Sequence, residues 1–403
     1  MDPTATTLWP SLEEHAIASS TDDSNAAVPK SVRVVHVITS LNVGGAERAL
    51  LRLLQQPAGE FESVAVINLV GRGALARDVE AAGVPVFDVG LRSLMGAPGA
   101  VRRIHRLLRH LQPDVVHTWM HHADLVGGLA ARAARVPAVA WNLRASNLPS
   151  DGYSRSTRAL VRVNARLSRW IPDVITCVAE AARRDHQAIG YAASKMVVVP
   201  NGVPCPEMSS TAREELRREL GVEAGVILVG RVARFHPMKD YRTLIRAAGI
   251  LRETHREVEW LLCGRDVTWD NAELASWIDR AGVGDRVHLL GPRTDVDRIY
   301  AALDLACSSS AHSEGFPNVV AEAMAAGLPV VTTDVGDSAV IVGDTGRVVP
   351  PRDPESLAAA VADLADDPAL RARLGRAARS RVLDEFGLER MVERYSAVYA
   401  SIV

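Results

Sequence analysis

From Val32 onward, short β-branched apolar runs alternate with longer Ala/Leu/Arg stretches of helical period. The first run is VRVVHVI (32–38). It is followed by SVAVINL near 63–69, VPVFDV near 84–89, DVVHTW near 114–119, AVAWNL near 138–143 and VITCV near 174–178. Helical stretches such as 100–111 and 123–135 separate most of them. A strand buried on both faces needs an unbroken apolar run, so this rhythm predicts a parallel sheet with helices on both sides. The rhythm stops at VVVPNGVPCPEMSS (197–210), where three prolines and an Asn-Gly pair mark a linker.

The rhythm then restarts. GVILVG (225–230), VEWLLCG (258–264), RVHLLG (286–291), LDLACSS (303–309), LPVVTT (328–333) and GRVVP (346–350) read as strands. Helices are expected at about 239–253 and 271–281, and at the end over 354–365, 367–382 and 387–401. The fold class is therefore α/β: two doubly wound, Rossmann-like domains facing a cleft. Their extents are 31–203 and 204–385. A disordered extension (1–30) precedes them, and a last helix (386–403) packs back on the first domain. In such sheets ligands bind beyond the carboxyl ends of the strands, so two sheets can share one gap and hold two substrates.

Composition removes several function classes. The formal charge of −2 over 403 residues argues against a broad nucleic-acid-binding surface. The four cysteines, Cys177, Cys205, Cys263 and Cys307, show neither a paired zinc spacing nor a disulfide framework, and read as buried thiols of a reducing compartment. No uncharged apolar run reaches about 18 residues, and the acidic, polar start does not resemble a secretory signal. A cytoplasmic protein is expected. The basic helix over 155–169 could add a peripheral contact with an anionic membrane, although a solvated face is the plainer reading.

Chemistry concentrates in Ser308–Asp337, SSSAHSEGFPNVVAEAMAAGLPVVTTDVGD. Gly315 turns the chain after Glu314, and Pro317 suits the first turn of a helix over 318–326 that Gly327 and Pro329 stop. The free N–H groups at that tip attract phosphate. Glu322 lies one turn beyond Asn318 on the same face, and Glu314 lies in the loop before it. Either carboxylate can accept from vicinal sugar hydroxyls. A second segment, GRVARFHPMKDY (230–241), follows a strand. Arg234 and Lys239 in it could neutralise a diphosphate, with Arg231 as the alternative to Arg234. Lysine occurs three times in the chain, so Lys239 stands out from a background that otherwise uses arginine. The Gly44-Gly45 pair lets backbone approach a ligand closely. His117, His121 and His122 gather after the fourth strand without a metal-binding spacing. Arg144, after the fifth strand, points toward the cleft.

The string E-G-F-P-N-x-x-x-E followed by A-M-A-x-G-L-P-V-V resembles the donor-site signature of family 4 retaining glycosyltransferases, which have the GT-B fold. The resemblance covers almost the whole chain after residue 31 and is looser in the first half. It implies a metal-independent transfer, with no cofactor, from a nucleotide-diphospho-sugar to a hydroxyl of a glycan, a lipid-linked glycan or a small molecule. The donor site would hold Glu314 on the sugar hydroxyls, Glu322 on the ribose, Gly45, Gly315, Phe316, Asn318 and Val319 around the diphosphate, and Arg234 with Lys239 on the leaving group. His122, with His121 behind it, matches the histidine that touches the sugar's 6-position. Gly44, Arg144 and His121 face the acceptor, and Asn201-Gly202 matches the interdomain hinge. Two other classes stay open: a sugar-nucleotide epimerase of the same architecture and a non-catalytic nucleotide-sugar-binding protein. A nicotinamide dehydrogenase is disfavoured because G-x-G-x-x-G is absent.

Overall fold

A computed structural model describes residues 31–57, 59–91, 93–144, 146 and 154–403. The extension expected over 1–30 lies outside the described residues. The first half runs β1 (Val32–Ile38), α1 (Gly45–Leu54), β2 (Phe61–Asn68), α2 (Ala76–Ala81), β3 (Val86–Asp88), α3 (Ala97–Leu111), β4 (Val115–Trp119), α4 (His121–Ala134), β5 (Ala138–Leu143), α5 (Arg155–Leu167), β6 (Val174–Cys177), α6 (Glu180–Ala188) and β7 (Met196–Val198). Its strands form one parallel sheet in the order β3-β2-β1-β4-β5-β6-β7.

The second half begins with α7 (Ser210–Glu219), β8 (Ile227–Val232), α8 (Tyr241–Leu251), β9 (Val258–Cys263), α9 (Ala272–Ala281), β10 (Val287–Leu289), α10 (Val296–Ala302) and β11 (Leu305–Ser308). It continues with α11 (Asn318–Ala325), β12 (Val330–Thr333), α12 (Ser338–Val342), β13 (Arg347–Val349), α13 (Pro354–Asp366), α14 (Pro368–Glu385) and α15 (Leu388–Ala400). This sheet is also parallel, in the order β10-β9-β8-β11-β12-β13.

Every residue of β4 and β5 is buried, as strands covered on both faces require. The covering helices are amphipathic. In α3, Ala100, Ile104 and Leu108 face the core at four-residue spacing while arginines face solvent. Each sheet reverses its winding once, between β1 and β4 in the first and between β8 and β11 in the second. Helices leave such a point on opposite faces and open a crevice beyond the strand ends.

The structure differs from the sequence reading in three places. The helix expected from residue 239 begins at Tyr241, because Asp240 takes a left-handed conformation (φ 46°) and its carboxylate caps Thr243 N. Lys239 therefore ends a short 3₁₀ turn instead of lying in a helix. The linker region already starts α7 at Ser210, capped by Ser209. Finally, Cys205 is half-buried, whereas the other three cysteines are buried; all four are free thiols.

The chain passes between the halves twice, and the two passages touch. Val203 N donates to Phe386 O at 2.9 Å, and Val203 bridges Gly387. After the second passage α15 returns to the first sheet. Met391, Tyr395, Val398 and Tyr399 join its core beside Phe61 and Trp119.

Candidate active site between the two sheets

The two crevices open on one cavity of about 920 Å³. Its first wall comes from the ends of β1, β4 and β5: Thr39, Gly45, Glu47, His121, His122 and Arg144. Its second wall comes from the loops after β8 and β11: Arg234, Lys239 and Ser313 to Val319.

The second wall is built around Glu314, which is 8 % exposed. Lys239 Nζ donates to Glu314 Oε1, and Ser310 Oγ donates to the same oxygen at 2.7 Å. Burial would push the Glu314 carboxyl up. The Lys239 ammonium, the Ser310 hydroxyl and the nearby Arg231 outweigh it and hold the group below its ordinary value. Glu314 is thus an anion in its resting state. The loop that carries it is clamped by backbone: Gly336, in a left-handed conformation (φ 63°), packs where any Cβ would collide with the carbonyls of Glu314 and Gly315. Ser313, also left-handed (φ 62°), turns the chain into Glu314.

Arg231 and Arg234 separate cleanly. Arg231 is 3 % exposed. Its guanidinium donates to Lys239 O at 2.5 Å and to Cys307 O at 3.5 Å. It braces the turn that presents Lys239, assisted by Ser309 Oγ on Lys239 O and Asp240 O. Arg234 is exposed and lines the cavity. The tip of α11 faces the same space through Pro317, Asn318 and Val319, with no side chain capping it.

On the first wall, His121 and His122 both line the cavity. His121 is buried and its imidazole is held down to about 3 by burial, helped by His186 and His122. Burial also lowers His122. Both rings are neutral near pH 7. The residue before them, Met120, adopts φ 74° and ψ 157°, a region that side chains rarely occupy. His117 takes no part: it is buried inside the sheet between the Tyr399 hydroxyl (2.8 Å) and Thr176 Oγ1 (3.3 Å).

Besides Arg231 and His117, two residues singled out from the sequence fall outside the cavity lining. Gly44 caps α1 through its carbonyl, which accepts from Arg48 N at 3.1 Å. Glu322 lies further along α11 and accepts from Arg52 of α1 at 2.6 Å, across the gap between the halves. Asn201, read from sequence as a plain turn, does more. Its side chain accepts from Arg144 at 2.5 Å and donates to Asn318 at 2.7 Å, joining both walls. Glu47, Thr39, Ser154 and Thr157 also line the cavity without a sequence signal that selects them. Glu47 carried the nearest hint, an acid in the first turn after the glycine pair. Among the described residues, no group of three or more His, Cys, Asp or Glu side chains is arranged to hold a metal ion.

Comparison with known proteins agrees with this architecture. Residues 212–381 match the family Glycosyl transferases group 1, and residues 43–206 match Glycosyltransferase Family 4. Glycogen synthase of Mycobacterium tuberculosis is 32 % identical over 309 residues, which cover 72 % of this chain and 69 % of that protein. The chain belongs to glycosyltransferase family 4. D-inositol 3-phosphate glycosyltransferase of Corynebacterium glutamicum is 34 % identical over 173 residues, 41 % of each protein. The fold of this glycosyltransferase is GT-B: Anabaena HepE, crystallised with UDP, superposes with a TM-score of 0.81 at 23 % identity over 92 % of this chain and 100 % of its own. Sucrose-phosphate synthase of Thermosynechococcus elongatus superposes at 0.74 and 19 % identity, over 92 % of this chain and 99 % of that one. The family 4 glycosyltransferase is therefore an enzyme whose described residues include no helix long and apolar enough to cross a membrane.

Proposed function

We infer that this glycosyltransferase takes a sugar from a nucleotide-diphospho-sugar and joins it to an acceptor hydroxyl, with retention at the anomeric carbon and without a metal ion. The observation that carries the reading is convergence: Lys239, Arg234 and the uncapped tip of α11 meet in one cavity with the anionic Glu314. The diphosphate lies at the helix tip, where the N–H groups of Asn318 and Val319, the Arg234 guanidinium and the Lys239 ammonium take up the charge that grows as the glycosidic bond to phosphate breaks. Gly45 lets the first wall approach this point; its Cα faces Asn318 closely enough that an added Cβ would lie 3.8 Å from the Asn318 amide.

Glu314, with Gly315 and Phe316 beside it, accepts from the donor sugar's hydroxyls. Glu322 receives the ribose once Arg52 is displaced from it. His122, with His121 behind it, meets the sugar from the opposite wall. The acceptor lies along Arg144, His121 and the Gly44–Gly45 loop. Its hydroxyl attacks the face that the diphosphate leaves, and the departing phosphate oxygen takes the proton. Domain extents of 31–203 and 204–385, with 386–403 returning to the first domain, go with this division of donor and acceptor. HepE has been solved with UDP and with UDP-glucose, which makes uridine donors the first to test. Free thiols fit a cytoplasmic setting.

The test is a thermal-shift series with UDP, GDP, ADP and dTDP in chelator, followed by magnetic-resonance assignment of the product's anomeric configuration. One nucleotide should raise the melting temperature without magnesium, since a ligand that binds only the native state stabilises it. Loss of binding in chelator, an inverted product, or a donor isomerised with no acceptor present would each overturn the reading.

A further inference from the structure

A second cavity, of about 820 Å³, lies away from the cleft and shares none of its lining residues. Its floor is apolar, formed by Val161 and Ala165 of α5 and Ile189 beyond α6. Its rim is cationic. Arg158, Arg162 and Arg166 follow one another at four-residue spacing along α5, and Arg169 stands just past its end. Successive residues at this spacing share one helix face. Among the described residues, none of the four guanidinium groups takes part in an ion pair or a side-chain hydrogen bond, and no acidic side chain lines the cavity. Trp170 closes one end and is 69 % exposed.

An apolar floor ringed by unpaired arginines is an odd surface to leave in water. Some arginines elsewhere in this protein do find carboxylates, as Arg183 with Glu180, Arg213 with Asp304 and Arg347 with Asp363, and what sets the α5 arginines apart is that they ring an apolar floor. We propose that this face of α5 is a docking surface for an anionic phospholipid membrane. The arginines bind headgroup phosphates, bidentately where geometry allows, and Trp170 enters the interfacial layer. The charge complementarity favours a lipid surface over another copy of this chain, because the rim offers no anions to pair with itself. A single free phosphate would leave the apolar floor and Trp170 uncovered.

The same helix reaches the cleft. Ser154 caps α5 by accepting from Thr157 N at 3.2 Å, and both residues line the central cavity. A membrane held along α5 therefore lies beside the acceptor wall. This last step rests on the proposed transfer reaction; the docking itself does not.

The experiment is co-sedimentation of the full chain with phosphatidylcholine vesicles, with and without phosphatidylglycerol, in the absence of donor. The wild-type protein should sediment with the anionic vesicles and be released as salt is raised. Combined Arg158→Gln, Arg162→Gln and Arg166→Gln should weaken binding at least about tenfold, because each basic side chain near the surface contributes separately. The Trp170→Ala variant should weaken it too and lose the blue-shifted part of the vesicle-induced fluorescence change. Unchanged melting temperature and nucleotide-induced thermal shift in these variants exclude a folding defect or damage to the cleft. Wild-type protein that stays in the supernatant with anionic vesicles, binding indifferent to lipid charge, or equal binding by the triple variant would each overturn the proposal.

Discussion

At the scale of the residue, the Lys239–Glu314 pair sets the character of the cleft. Each ion is desolvated, and each is tolerable because of the other. Lys239→Ala should lower turnover by about 10²–10³, the usual loss when one group stabilising developing charge is removed. It should also reverse a titration. In the wild type the Glu314 carboxyl is held below its ordinary value, so it contributes stability above that value and loses it as pH falls. Without the ammonium, burial lifts the carboxyl, so the stability that the substitution costs relative to wild type should be larger at pH 7 than at pH 5. Urea unfolding of both proteins at the two pH values checks this; a cost that is no larger at pH 7 than at pH 5 would show that Lys239 does not hold the carboxylate. The sequence marks Lys239 by its rarity and Glu314 by its setting among Gly, Phe, Pro and Asn. It gives no mark to Arg52 and marks Asn201 only as part of a hinge turn, because their partners Glu322 and Asn318 lie on α11 of the other half and become neighbours only when the halves meet.

At the scale of the element, strands and helices follow the apolar pattern closely, since the central strands are buried on both faces and helices such as α3 and α5 show one apolar stripe. What the pattern misses is local backbone. Asp240 leaves the helical region and delays α8 by two residues, and no periodicity reports a single left-handed residue. The histidines show the same limit. His117 sits with His121 and His122 in sequence, yet as a strand residue it is enclosed in the sheet while they line the cavity. Burial holds His36 and His121 near 3 and His186 near 4, and pushes His117 well down. All four remain neutral in the fold while the unfolded chain takes up protons below about pH 6.5. Their stabilisation is therefore complete above that value and falls as pH drops toward 3, by up to about 1.4 kcal/mol per unit for each group. A melting temperature that declines steeply between pH 6.5 and 4 is expected. His36→Asn should shallow the decline, and an unaltered slope would remove that residue from the account.

At the scale of the whole molecule, the halves are joined by few but well-made contacts. Asp337, buried ahead of α12, accepts from Glu180 N at 2.6 Å and Ala181 N at 2.8 Å, capping a helix that belongs to the other half. Ser146 donates to Glu314 O, and Arg52 reaches Glu322. Asp337→Ala should cost about 1–2 kcal/mol, the price of a lost cap, and loosen the closed arrangement. Small-angle scattering should show a larger radius of gyration than the wild type; an identical radius with an identical melting temperature would make the cap incidental.

The return of α15 has a consequence for how the protein is made. Tyr395 donates no bond of its own to the second sheet; its hydroxyl accepts from Asn142 at 3.0 Å, and Tyr399 meets His117, both within the first sheet. That sheet ends in sequence at Val198, and its final layer is not translated until Leu388 and beyond. A nascent chain must therefore carry an uncovered aromatic seat, with His117 and Asn142 wanting partners, through the synthesis of the entire second half. Ribosome-bound intermediates should bind chaperones until that late segment emerges from the exit tunnel.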